Sequence, residues 1–173
     1  MRMKISMRMM AIVACCLAVP AKAGQLWQNA VSGMSPAEVK KAYPAARDPT
    51  NADGKEVMLL SGVTIFGQKF DALFHFTSHR LTKVSLQASD AVDKGAFSTD
   101  PAVTFGLIRD ELVRKYGQPV NARNSMGMQN VSFISSGTSI ELANSDLSSI
   151  SPGSPRFLSI TYDSNAAGGE NPL

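Results

Sequence analysis

Between Lys69 and Thr77, Phe70, Ala72, Phe74 and Phe76 alternate with Asp71, Leu73, His75 and Thr77. Successive side chains of an extended strand point to opposite faces, so this period places three phenylalanines on one side and requires a core to receive them. A helix would scatter the same residues around its circumference. The stretch therefore reads as a strand with one buried face. Its neighbours, from about Val57 to Ile65 and from Leu81 to Ala88, are also strand-like. Gly67-Gln68 and Ser78-His79-Arg80 supply the short connections of an antiparallel meander.

Helix signals stand on either side of this meander. Ser35-Pro36-Ala37-Glu38 combines a capping hydroxyl, a proline at the first helical position and a glutamate three residues after the cap. Val39, Ala42 and Tyr43 then share one face, and Pro44 stops the element. Asp48 to Lys55 is polar and reads as a loop. After a polar connector from Ser89 to Thr99, Asp100-Pro101 opens a second helix. Phe105, Ile108, Leu112 and Tyr116 form its apolar stripe, and Gly117 and Pro119 end it.

Three more strands are expected from about Met128 to Ser135, Thr138 to Asn144 and Arg156 to Tyr162, with Ser136-Gly137 as a hairpin turn. The order is thus one helix and three strands, twice. Neither helix stripe nor single meander is satisfied alone. The expected fold class is α+β: an antiparallel sheet of two three-stranded meanders with two helices on one face. Phe74, Phe76, Val84, Ile108, Leu112 and Tyr116 are expected to share its core. Residues 24–163 form a single domain in this reading, and 164–173 a flexible C-terminal tail with almost nothing to bury.

The N-terminus limits where such a domain works. A basic start containing Arg2, Lys4 and Arg8 precedes an apolar run from Met9 to Val19 and then Ala21-Lys22-Ala23, the order of a cleavable secretory signal over residues 1–23. The run is about half of the roughly 20 residues that a permanent transmembrane helix needs. A periplasmic or secreted protein starting at Gly24 follows. The alternative reads Ile12-Val13-Ala14-Cys15 as a lipobox and makes the protein an outer-membrane lipoprotein acylated on Cys15. Four of the 17 Lys and Arg residues lie in this leader and none of the 14 Asp and Glu does, which leaves the rest about one charge negative. A nucleic-acid partner, which needs a concentrated basic stripe, thereby loses its main support and is not expected. Both cysteines also lie in the leader, so the mature chain has no disulfide, thiolate metal site or cysteine nucleophile.

Several phrases carry a resemblance: Gly33-Met34-Ser35-Pro36-Ala37-Glu38-Val39, Tyr43-Pro44, Phe66-Gly67-Gln68-Lys69-Phe70, Phe74-His75-Phe76, Arg80-Leu81-Thr82-Lys83-Val84 and Lys115-Tyr116-Gly117-Gln118-Pro119. Together they resemble the small periplasmic proteins of the β-lactamase-inhibitor-protein-like (BLIP-like) class, which includes the SmpA/OmlA (BamE) outer-membrane assembly lipoproteins. The resemblance implies an α-β-β-β repeat and a role in binding another envelope protein. It covers roughly Leu26 to Pro119.

Catalytic signals are sparse. His75 and His79 are the only histidines, and along a strand they lie roughly 13 Å apart, too far to share a metal unless the turn reunites them. No Gly-x-Ser-x-Gly elbow and no phosphate loop is present. Asp110 and Glu111 are adjacent on a helix and diverge. The expectation is a non-catalytic binding module without a cofactor or metal, its partner another envelope protein, its oligomeric state open. Trp27, His75, His79 and Arg80 are the candidate binding residues. The module either supports envelope assembly or inhibits a partner. An immunity or inhibitor protein for a periplasmic hydrolase, or a small periplasmic hydrolase using His75 with a nearby acid, is the alternative.

Overall fold

The computed structural model describes residues 24–52, 55–89, 100–148 and 151–164. The expected leader with Cys15, the connector at 90–99 and the tail from 165 onward lie outside the described residues. A hairpin of β1 (Gln25–Trp27) and β2 (Ala30–Val31) precedes α1 (Pro36–Ala42). Then come β3 (Thr50–Ala52), β4 (Lys55–Ile65), β5 (Gln68–Thr77) and β6 (Arg80–Ser89). The second half contains α2 (Pro101–Tyr116), β7 (Asn121–Ser125), β8 (Met128–Ser135), β9 (Thr138–Ser145) and β10 (Phe157–Asp163).

Both helices start as their sequences imply. Ser35 Oγ accepts from the Glu38 amide, and the Glu38 carboxylate accepts from the Ser35 amide at 2.8 Å, closing a capping box. Asp100 caps α2 by accepting from the Ala102 amide at 2.9 Å, and Gly117 ends it with φ +87. These bonds satisfy amides that have no partner inside a helix.

The sheet overturns the expected fold class. Eight strands run in the order β3-β4-β5-β6-β10-β9-β8-β7, every neighbouring pair antiparallel. Among the described residues 52% are strand and 18% helix, so this is a sheet-dominated protein and not an α+β fold of two three-stranded meanders. Each expected meander gains an edge strand, β3 or β7, and β1–β2 forms a separate hairpin. Thr50–Ala52 and Asn121–Ser125 are polar stretches whose pairing comes from the backbone, so no apolar period announces them.

Register defines two sheet faces, because residues directly opposite across antiparallel strands share a face. One row runs Phe74, Val84, Tyr162, Ile140, Phe133, and the next Ala72, Leu86, Ile160, Leu142, Val131. All ten are buried. Tyr43, at the end of α1, packs on Phe74, and α2 lays Phe105, Ile108 and Leu112 over β8, β9 and β10. Both helices thus cover the same face, and Tyr116 packs partly buried against this core.

Two-residue turns connect β4 to β5, β5 to β6, β7 to β8 and β8 to β9, each with positive φ at both positions. That conformation matches the strand twist, and it favours glycine at its second position. Gly67, Gly127 and Gly137 fill that position in three turns; His79 fills it in the fourth, at φ 58.

Candidate functional site

The four candidate residues do not converge. Trp27 is only 7% exposed and stacks on Tyr43, so its ring belongs to the core beneath the helices and not to a surface. His75 projects from β5 onto the opposite, helix-free face, between Val57 and Lys83 in register. Burial, then the Lys83 charge, hold its imidazole below the ordinary histidine range, against the opposing pull of Asp163, and Nε2 has no hydrogen-bond partner among the described residues. Arg80 donates to the Gly33 carbonyl at 3.0 Å, and Gly33 and Met34 exchange backbone bonds with Leu81. It fastens the lead-in of α1 to β6.

His79 is paired with an acid that the sequence reading did not single out. Its Nδ1 lies 2.9 Å from Glu56 Oε2, close enough for an ion pair but out of line for a hydrogen bond, which that buried oxygen lacks. Glu56 stands opposite Phe76 and Asn51, at the margin of the covered face. Around the pair lies a recess of about 440 Å³ bounded by Asn51, Lys55, Phe76, Thr77 and Ser78. A carboxylate set on an imidazole is the orientation that general-base chemistry uses, but no hydrogen bond carries it on to a nucleophile among the described residues. The hydrolase alternative had named His75; the acid contact is made by His79. A glutamate directly before the apolar run Val57–Leu60 was the available signal, legible only once register is known.

No group of three or more His, Cys, Asp and Glu side chains is placed to hold a metal ion among the described residues. No described helix is long and apolar enough to cross a membrane.

The helix-free face is the second surface that register defines. Its central row reads Leu59, Leu73, Ser85, Thr161, Glu141, Ser132, and the next Asp71, Gln87, Ser159, Ala143, Asn130, Arg123. Small hydroxyl and amide side chains dominate, with half-buried leucines on one flank. At one end, Phe157 and Met128 stand opposite Ser145 in register, 45% and 50% exposed. Lys83 and Asp163 are joined at 3.1 Å, and the neutral Asn130 amide donates to Glu141.

Comparison with known proteins finds no matching family model, and neither the curated proteins nor the solved structures give a significant match.

Proposed function

We propose that the protein is a non-catalytic binding module of the cell envelope that holds another envelope protein against the helix-free face of its sheet, supporting assembly or inhibiting the bound protein. The observation that carries this reading is the one-sided sheet. Eight strands cover one face with both helices and leave the other lined by Ser159, Thr161, Ser132 and Ala143, with apolar Leu59, Leu73, Phe157 and Met128 at its flanks. Small polar side chains let a partner approach closely, and the Lys83–Asp163 pair neutralises part of the charge on this face. The compartment rests on the Ala21-Lys22-Ala23 cleavage signal.

Capture from an envelope extract tests it, comparing the wild type with Ser159→Arg on the helix-free face and Leu107→Arg on the exposed side of α2. A protein retained by wild type and by Leu107→Arg but lost with Ser159→Arg, at unchanged thermal unfolding, supports the reading. Identification by mass as a hydrolase points to inhibition, and as an assembly component to support. Equal capture by Ser159→Arg overturns the assignment of the face.

A further inference from the structure

The β7 edge of the sheet is built to accept another strand. Among the described residues β7 pairs only with β8, its register runs without a bulge, and all five of its residues are exposed. Ser125 and Met128 close a two-residue turn and so form a hydrogen-bonded pair, as do Arg123–Asn130 and Asn121–Ser132 two and four residues on. By that alternation the amides and carbonyls of Ala122 and Asn124 point away from β8, toward the free side. Natural edges are usually blunted by proline, bulges or brevity, as the three-residue β3 is at the other side of this sheet. β7 has neither proline nor bulge. It is also held in place at both ends: Val120 N–H donates to Ser132 O at 2.8 Å, and Gly127 O accepts from Asp146 N–H at 2.8 Å.

Two further observations bear on the same edge. The three most exposed large apolar side chains among the described residues, Met126, Val120 and Ile134, rim it. Beneath it a groove of about 220 Å³ opens on the helix side, walled by Phe105, Arg109, Pro119, Asn124, Gln129 and Val131.

We propose that β7 pairs antiparallel with an extended segment of the envelope partner, one carrying an acidic residue opposite Arg123 flanked by apolar residues that enter the groove beside α2. This deepens the proposed function and rests on it. Charge decides between the two strand sources. If a second copy paired with β7, the antiparallel register that satisfies both Ala122 and Asn124 would set Arg123 directly against its own copy, and like charges in that position repel. A foreign strand with Asp or Glu there gains where the second copy loses. Its neighbouring side chains alternate to the helix side, where Phe105, Pro119, Ala122 and Val131 give the groove an apolar wall beside Arg109, Asn124 and Gln129.

The test titrates the protein with a short synthetic peptide alternating Val and Thr around one central Asp, and with its central-Lys counterpart, following the amide resonances and their hydrogen exchange. Binding is expected to protect the Ala122 and Asn124 amides, with the Asp peptide about fivefold tighter than the Lys peptide. Arg123→Glu should invert that preference, and Asn124→Pro, which removes an outward amide without touching the β8 ladder, should abolish binding. Unprotected Ala122 and Asn124 amides, or a preference unmoved by Arg123→Glu, overturn the proposal. So does concentration-dependent dimerisation that protects the same amides, which makes a second copy the occupant. The two readings fail separately. Envelope capture lost with Ser159→Arg but unaffected by Asn124→Pro removes only the edge, whereas edge binding with capture indifferent to Ser159→Arg removes only the face.

Discussion

Trp27 stacks on Tyr43 with ring centroids 5.7 Å apart and planes 9° from parallel, and the Tyr43 hydroxyl donates to the Trp27 carbonyl at 3.0 Å while accepting from the Asn29 amide at 3.0 Å. One side chain at the end of α1 thereby carries both the apolar and the polar seal of the N-terminal hairpin. Both rings also contact Phe74, so the seal reaches into the centre of the sheet.

Trp27→Ala is expected to cost about 3–5 kcal/mol in denaturant unfolding, the range for emptying a large aromatic site. Tyr43→Phe keeps the stack and removes only the hydroxyl, leaving a carbonyl and an amide short of a partner, for about 1–2 kcal/mol. Trp27 is the only tryptophan, so its fluorescence reports the same event directly. A cost below about 1 kcal/mol for Trp27→Ala would place the ring at the surface after all.

Gly127→Ala should be far more damaging than Gly137→Ala, although both glycines occupy the same turn position with φ near +80. A Cβ at Gly127 would lie 2.1 Å from the Asp146 carbonyl oxygen, whereas at Gly137 nothing stands within 4 Å. Backbone strain alone costs roughly 1–2 kcal/mol, which is the expectation for Gly137→Ala. Gly127→Ala adds a backbone collision and should exceed that by a further about 2 kcal/mol. Thermal unfolding of the two variants side by side measures the difference, and equal losses would mean that the Gly127–Asp146 approach is not formed.

His75 gives stability a dependence on pH in the near-neutral range. Its folded pKa is depressed, by burial first and by Lys83 next, with Lys55 acting in the same sense and Asp163 against. The unfolded chain therefore takes up the proton first, at the ordinary value of about 6.5. Stability from this group is present above that pH and is lost as pH falls toward the folded value. Glu38, held low by hydrogen bonds from Ser35, and Asp146, held low by Ser148, lose their contributions only at more acidic pH. Denaturant unfolding between about pH 7 and 5 should thus slope for the wild type and flatten in His75→Gln. An identical slope in the variant would assign the effect elsewhere.

Legibility in the sequence followed burial. The strand through Phe70, Phe74 and Phe76, the capping box at Ser35 and Glu38, and the limits of α2 from Asp100 to Gly117 were readable because each leaves an apolar period or a cap residue. β3 and β7 were not, since a strand exposed on both sides needs no alternation and is specified by the backbone of its neighbour. Missing them turned an eight-stranded sheet into two small meanders. The Glu56–His79 pair escaped for a related reason: the residues are far apart in sequence, and only the β4–β5 register brings a glutamate beside that turn. His75 and Trp27 were legible as unusual residues but not as to face, which depends on what covers each side of the sheet.

The last strand in chain order, β10, sits in the middle of the sheet between β6 and β9. A chain made from its N-terminus must therefore keep β6 and β9 as bare edges until Phe157–Asp163 arrives to join the two halves. Each of those edges has an apolar side: Val84 and Leu86 on one, Ile140 and Leu142 on the other. Such surfaces are templates for wrong pairing while they wait. Arrival of β10 and concealment of these two edges are consequently the same event. A copy that stops short before Phe157 advertises its own incompleteness to any chaperone or protease that reads exposed strand edges.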